Sequence, residues 1–280
     1  YGDTLSDDAF GGYEFDYVIS NPPFGIDWKR EKSQVEAEAK RGYDGRFGPG
    51  LPAISDGQML FMLNGVKKLK EGSGRMAIIQ NGSSLFTCDA GSGASEIRRY
   101  LIHEDLVEAI VQLPTDLFYN TGISTYIWVL TKGKPMSRSG RVQLIDASKC
   151  FVKRRKNIGS KRVDLDDACI DLILKAYEGF DQNEVYTAED LVVESKVFEN
   201  DFFGFTKVTV ETAQTDANGK PLLKKGKKLP VKGATDSEII PLSDDIDAYM
   251  EKNVLPYNPL AYIDPAKDKI GYEIPFTRLF

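Results

Sequence analysis

The chain has 280 residues, enough to bury a full core in one large or two modest domains, and its 41% hydrophobic and 28% charged content is that of an ordinary globular protein. No run of about 18 apolar residues and no basic-then-apolar leader occurs, which argues against a membrane span or a secretion signal. Three widely spaced cysteines, Cys88, Cys150 and Cys169, argue against a disulfide framework or a zinc site and suit a reducing, cytoplasmic compartment; no metal is expected. The formal charge of −6 sits poorly with an unaided grip on nucleic acid, where phosphate neutralisation supplies most non-specific affinity. Either DNA is not the substrate or a partner supplies much of the hold.

Gly2 and Asp3 read as the end of a strand at the ligand-binding face of an open α/β sheet, or as a frayed terminus. Residues 13–20 are the first complete strand. After Phe24 about thirty residues carry no strand signal, against a usual connection of about 4 to 6. Of these, 28–41 suit an exposed helix and 42–52, with Tyr43, Arg46 and Phe47 among glycines and prolines, an irregular loop. Such an insertion beside a candidate site is a lid or substrate-contacting loop, or a passive surface excursion.

From Ser55 and Asp56 the period becomes helical: Met59, Leu60, Met62, Leu63, Val66 and Leu69 share a face, Asp56 or Ser55 caps, and Gly72 stops. Residues 76–80 form a buried strand, and the strand–helix–strand order predicts parallel pairing with 13–20. Gly91-Ser92-Gly93 begins eleven positions after Gln80, too far from a strand to be a dinucleotide-type loop, and reads as the approach to a helix capped by Ser95. Strands at 107–113 and 126–130 are separated by too short a loop for a crossover, so an antiparallel pair is expected. Further on, 142–145 reads as a strand, 164–177 as a helix, 205–211 as a strand, 218–228 as an exposed hairpin tip and 244–253 as a helix. Two basic clusters, one of Lys153, Arg154, Arg155, Lys156, Lys161 and Arg162 and one of Lys224, Lys225, Lys227 and Lys228, are either DNA-phosphate contacts or solvated faces. His103, the single histidine, lies in a helical pattern with no identifiable partner for base chemistry.

The most informative stretch is Phe15-Asp16-Tyr17-Val18-Ile19-Ser20-Asn21-Pro22-Pro23-Phe24-Gly25. Tyr17, Val18 and Ile19 favour strand, while Pro22 and Pro23 lack the N–H a ladder needs and hold φ near about −65°, so the strand ends at Asn21 in a rigid loop. The Asn21 amide oxygen and the Pro22 carbonyl can converge on an amine bearing two hydrogens, and the Phe24 ring offers a flat face to whatever planar group carries that amine. A strand-ending turn without chemistry is the alternative.

Asn-Pro-Pro-aromatic after a hydrophobic strand resembles the catalytic motif of methyltransferases that act on adenine N6. Together with Gly2-Asp3-Thr4-Leu5, Gly74-Arg75-Met76-Ala77-Ile78-Ile79, Glu96-Ile97-Arg98-Arg99-Tyr100-Leu101, the block 113–125 and the ending Gly271-Tyr272-Glu273-Ile274-Pro275-Phe276-Thr277-Arg278, it resembles the modification subunit of type I restriction–modification systems. The resemblance implies an α/β fold: the C-terminal half of a Rossmann-like S-adenosylmethionine-dependent methyltransferase sheet, parallel strands ending in an antiparallel pair, followed by a C-terminal α/β extension. It divides the chain into a partial catalytic domain, 1–160, and an extension for subunit contact, 161–280. The family's helical N-terminal domain, glycine-rich cofactor loop and ribose-binding acidic residue have no counterpart, which implies a fragment inactive alone, with its first strand at an unpaired sheet edge.

By the same resemblance, Asp3 accepts a hydrogen bond from the cofactor adenine. Asn21 and the Pro22 carbonyl hold the target N6 amine, with Pro23 stiffening the loop. Phe24 stacks on the flipped base and Phe118 packs against it from another side, unless Phe118 is simply a core aromatic. Lys153, Arg154, Arg155 and Lys156 are the DNA-phosphate candidates. The implied partners are double-stranded DNA, a specificity subunit, a second modification subunit and a restriction subunit. Two other readings fit the same loop: methylation of a protein glutamine amide, and a non-catalytic assembly module.

Overall fold

The computed structural model describes residues 2–280; Tyr1 lies outside them. The chain forms two compact units, one of residues 2–88, 92–200 and 273–280 and the other of 89–91 and 201–272.

The first unit is built on a seven-stranded sheet. Its elements in order are β1 (Tyr17–Ser20), α1 (Lys32–Ala39), α2 (Gln58–Lys67), β2 (Arg75–Asn81), α3 (Ser83–Phe86), α4 (Gly93–His103), β3 (Val107–Gln112), β4 (Thr125–Thr131), β5 (Arg141–Asp146), β6 (Val152–Ile158), β7 (Lys161–Asp164), α5 (Asp167–Gly179), β8 (Asn183–Ala188) and β9 (Leu191–Glu199). Strand order is β1-β2-β4-β3-β5-β9-β8. β1 runs parallel to β2, with Tyr17 opposite Arg75 and Ser20 opposite Ile78. β4 enters antiparallel between β2 and β3, so the expected β3–β4 pair forms and β4 also closes on β2. In β2 the buried Met76 and Ile78 alternate with half-buried neighbours, and in β3 Val107, Ala109 and Ile110 are buried beside Glu108, whose carboxylate pairs with Arg75 and Arg138. β1 is an edge strand, with Tyr17 75% and Ile19 88% exposed.

α2 lays Met59, Leu60, Met62, Leu63 and Val66 on the core, as its spacing requires. It starts after Gly57, which has no side chain to cap it; the Asp56 carboxylate accepts the Gln58 backbone N–H at 3.3 Å, and also hydrogen bonds from the Gln58 amide and Ser83 hydroxyl. α4 is capped by Ser92 rather than Ser95; the Ser92 hydroxyl accepts the Ser95 N–H at 3.4 Å. α5 begins three residues later than its sequence period suggested, at the Asp166 cap, and packs Cys169, Leu172 and Ala176 on Val111, Ile145 and Val193.

The insertion after Phe24 is not the exposed helix and loose loop that its polar composition predicts. Only Lys32–Ala39 is α-helical, and Trp28, Val35 and Phe47 are buried. Its base is stitched shut by Trp28 N–H to Ile54 O at 3.0 Å, Gly57 N–H to Ile26 O at 2.9 Å and Trp28 Nε1–H to Ala53 O at 3.0 Å. Arg46 anchors its far side, donating to both Glu38 carboxylate oxygens at 2.6 and 2.8 Å, to Thr4 O at 2.7 Å and to Asn64 Oδ1 at 3.0 Å. The tip also runs so close to α4 that a Cβ on Gly93 would lie 1.7 Å from Leu51 O.

The second unit centres on β10 (Gly204–Ala213), which pairs antiparallel with β13 (Pro230–Pro241), β14 (Ala261–Ile263) and β15 (Lys269–Tyr272). A small hairpin, β11 (Leu223–Lys224) and β12 (Lys227–Lys228), forms the expected exposed tip. Helix α6 (Ile246–Asn253), capped by Asp245, adds Met250 to a core of Val208, Val210, Ile240, Val254 and Ala261. The junction at 200/201 moves the division predicted at 160/161. Position 160 falls in the turn of the β6–β7 hairpin, which carries the basic run at 153–156; β9 and β8 extend the first unit's sheet, and α5 packs within that unit.

Candidate active site

The Asn-Pro-Pro-Phe loop leaves the C-terminal end of edge strand β1, and Asn81 ends β2 beside it. The segment between β3 and β4 closes over the same end of the sheet, its base held by Leu113 N–H to Thr125 O at 2.9 Å. These three pieces line one cavity of about 780 Å³, to which the first contributes Asn21, Pro22, Pro23 and Phe24, the second Asn81, and the third Phe118 with its neighbours. Sequence reasoning named Asn21, Pro22, Pro23, Phe24 and Phe118, and the fold brings all five together. Phe118 is half-buried: it lines the cavity and also packs against the core cluster that holds Val111, Leu113 and Ile145, so both of the roles expected for it have support. Among the described residues neither the Asn21 side chain nor the Pro22 carbonyl has a hydrogen-bond partner, so both acceptors are open.

A second cavity of about 570 Å³ shares the Pro22–Pro23 wall and runs along β1, lined by Gly2, Thr4, Phe10, Ile19 and Lys68 among others. Asp3 does not line it, although both its neighbours do. Its Oδ1 instead accepts from Leu5 N–H and Ser6 N–H, each at 2.9 Å, and from Ser6 Oγ at 3.1 Å, capping its own turn. Burial pushes the Asp3 carboxyl up, but those hydrogen bonds and the Arg46 charge outweigh it and hold it below the usual carboxylate range. Lys68, 9% exposed, pairs with Asp8 and donates to Phe10 O at 3.2 Å; burial and this pairing oppose each other at Asp8, and the pairing wins, lowering its pKa.

The basic hairpin β6–β7 is tied to the segment that carries Phe118: Ser160 N–H donates to Tyr119 O and Arg162 N–H to Asp116 O, both at 2.8 Å. Lys153, Arg155 and Lys156 are exposed on it. Arg154 is not free in the same way, since its guanidinium meets Asp164 at 2.5 Å and Lys156 O at 3.2 Å. The second lysine cluster lies on the β11–β12 tip of the other unit. Asn81, Gln58 and Ser83 escaped the sequence reading, which gave Asp56 only as a helix cap; the available signal was Asn81-Gly82, which ends its strand as Asn21 ends β1.

A mixed sheet with a late antiparallel strand wedged into it, carrying paired acceptors and aromatic faces at its C-terminal end, defines a Rossmann-like methyltransferase sheet. The chain belongs to the N-6 DNA methylase family, whose sequence model matches residues 1–218. It is 27% identical over 245 residues to the type I restriction enzyme HindI methylase subunit of Haemophilus influenzae, covering 86% of this chain and 51% of that protein. To the MjaIX methylase subunit of Methanocaldococcus jannaschii it is 30% identical over 158 residues, 56% of this chain and 27% of the other. The solved structure of the type I restriction-modification system methyltransferase subunit from Streptococcus thermophilus matches with a TM-score of 0.58 and 27% identity, over 72% of this chain and 38% of that one. The chain thus spans about a quarter to a half of the length of these curated relatives. No helix among the described residues is long and apolar enough to cross a membrane.

Proposed function

We propose that this chain supplies the target-base half of a modification subunit that transfers a methyl group from S-adenosylmethionine to N6 of adenine in DNA. The observation that supports this reading is that Asn21 and Pro22, whose side-chain oxygen and carbonyl have no hydrogen-bond partner among the described residues, line one cavity together with the rings of Phe24 and Phe118. An adenine turned out of its duplex presents an amine with two hydrogens on a flat ring. Asn21 and Pro22 accept those hydrogens and draw the nitrogen lone pair out of conjugation, Phe24 stacks on the ring, Pro23 keeps the loop stiff and Phe118 closes the other side. Stacking and hydrogen bonds in the cavity offset the few kcal/mol needed to unstack the base.

The cavity that shares Pro22 and Pro23 suits the cofactor: Phe10 and Ile19 give apolar faces, and Asp3, set between two lining residues, has its second carboxylate oxygen to accept the cofactor's adenine amine. When bound, S-adenosylmethionine supplies a methyl group on a good leaving group, so the protein's task is alignment and complementary acceptors. Lys153, Arg155 and Lys156, with Arg154 held back by Asp164, take DNA phosphates beside the base cavity. A specificity subunit would read the sequence and supply the grip that a charge of −6 withholds, the 201–272 unit would contact other subunits, and a second modification subunit and a restriction subunit would complete a cytoplasmic assembly.

The test is methyl transfer from labelled S-adenosylmethionine to plasmid DNA by the longest polypeptide carrying this chain together with its specificity subunit, beside Asn21→Ala. Label on adenine that falls by at least about a hundredfold in the mutant, with cofactor binding unchanged, supports the reading; a larger effect is ordinary for a preorganised acceptor. Transfer to protein and none to DNA would refute it.

A further inference from the structure

Asn81 is held in one orientation by a backbone N–H and by a side-chain amide whose own orientation is fixed. Its Oδ1 accepts the Ser83 backbone N–H at 2.9 Å and the Gln58 Nε2–H at 2.8 Å, while its own backbone N–H donates to Gln58 Oε1 at 3.0 Å. A backbone N–H has no acceptor alternative, so each of the two side-chain amides is locked the right way round. Gln58, 1% exposed, is fixed further by Asp56 Oδ2 at 2.9 Å, and Ser83 Oγ lies 2.5 Å from the same carboxylate oxygen. With Oδ1 turned to this network, the Asn81 Nδ2 has no hydrogen-bond partner among the described residues, is not sealed from solvent, and belongs to a residue lining the cavity that also holds Asn21 and Phe24.

We propose that Asn81 reads the base: its Nδ2–H donates to the ring nitrogen of the flipped adenine, N1 or N7, that flanks the amine held by Asn21 and Pro22. This rests on the adenine-methylation reading and adds a specificity contact to it. A donor at that place rewards a base with an acceptor ring nitrogen beside an exocyclic amine and penalises one that presents an N–H there. Gln58 and Ser83 are positioning residues that hold the donor still.

The experiment uses the longest polypeptide carrying this chain with its specificity subunit, on duplexes in which the mapped target adenine is replaced by 1-deazaadenine or 7-deazaadenine, and compares wild type, Asn81→Ala, Asn81→Asp and Asn21→Ala by kcat/KM for methyl transfer. The wild type should lose roughly tenfold on one of the two analogues, as for one hydrogen bond in a dry site. Asn81→Ala should lose a similar factor on adenine and no longer distinguish that analogue. Asn81→Asp, which keeps the acceptor towards Ser83 and Gln58 and replaces only the donor, should be worse than Asn81→Ala.

A wild type indifferent to both analogues, or an Asn81→Ala enzyme that discriminates as the wild type does, overturns the assignment. The wild-type analogue series decides the matter even where a variant fails to fold. A wild type that places no methyl on DNA adenine would overturn the methylation reading and this contact together; one that methylates adenine, depends on Asn21 and ignores both analogues would overturn the contact alone.

Discussion

Replacing Arg46 by Ala should loosen the insertion that follows the Asn-Pro-Pro-Phe loop. The side chain is 10% exposed and its partner Glu38 17% exposed, and the substitution removes a two-pronged contact to Glu38 at 2.6 and 2.8 Å. It also strips Thr4 O, Leu5 O and Asn64 Oδ1 of their donor. Breaking a buried ion pair by removing one partner costs about 3–5 kcal/mol, and partial exposure of both groups places this one near the lower end, about 3 kcal/mol. Trp28 and Trp128, the only two tryptophans, are both buried in the first unit, so tryptophan fluorescence in urea reports on that unit alone. With a slope of about 2 kcal/mol per molar urea, the midpoint should fall by about 1.5 M. A double-mutant cycle with Glu38→Gln should return a coupling of about 1–2 kcal/mol.

The effect should also depend on pH. Burial would raise the Glu38 pKa, but the Arg46 hydrogen bonds and charge outweigh it and hold it below 4.5. The added stability is therefore complete above about pH 4.5 and fades as pH falls through the lower folded-state value, so wild type and mutant should converge in acid. A midpoint shift below about 0.3 M, or simple additivity in the cycle, would show that Arg46 does not clamp the insertion.

The cysteines give a quick check of the first unit. Cys88 is exposed, whereas Cys150 and Cys169 are buried; burial and the neighbouring Cys169 push Cys150 up to about 12, and burial raises Cys169 too. A thiol reagent at pH 8 should titrate one group per folded chain and three in denaturant, and two or three fast thiols in the folded state would contradict the packing of α5. The open side of β1, with Tyr17 and Ile19 exposed, should drive this chain to self-associate edge to edge. Ile19→Lys should weaken that association by about tenfold or more in sedimentation velocity, and a monodisperse wild-type monomer at high concentration would dispose of the idea.

The sheet was legible where hydrophobic runs were unambiguous. Tyr17–Ile19, Met76–Gln80 and Tyr126–Leu130 declare themselves as short runs rich in apolar, β-branched and aromatic residues; the strand–helix–strand order gave the parallel β1–β2 pairing and the short loop the antiparallel β3–β4 one. The Asn-Pro-Pro-Phe loop was legible because two prolines admit few conformations. The insertion was misread because its burial comes from single residues, Trp28, Val35 and Phe47, set in polar sequence and drawn inward by Arg46, which no periodicity records. The Gln58–Asn81 network was invisible for a related reason: its members are 23 positions apart and meet only when α2 docks on β2. Strands β8 and β9 also went unread, and with them the true end of the first unit, since half-exposed alternation such as that of Leu191–Glu199 resembles a surface loop until β5 pairs with it.

The place of β4 has a consequence for how the chain matures. Both of its sheet neighbours, β2 and β3, precede it in sequence, so the strand that joins them is synthesised last. Between the emergence of Asn81 and that of Thr131 a ribosome making about 5–20 residues per second leaves β2 waiting for about 3–10 seconds with its inner edge bare. During that interval Met76 and Ile78 lack their β4 partners, Leu130 and Trp128. A nascent chain stalled before Thr125 should therefore bind chaperones and be cut readily by protease, and one stalled some 40 residues beyond Thr131, with β4 clear of the exit tunnel, should resist.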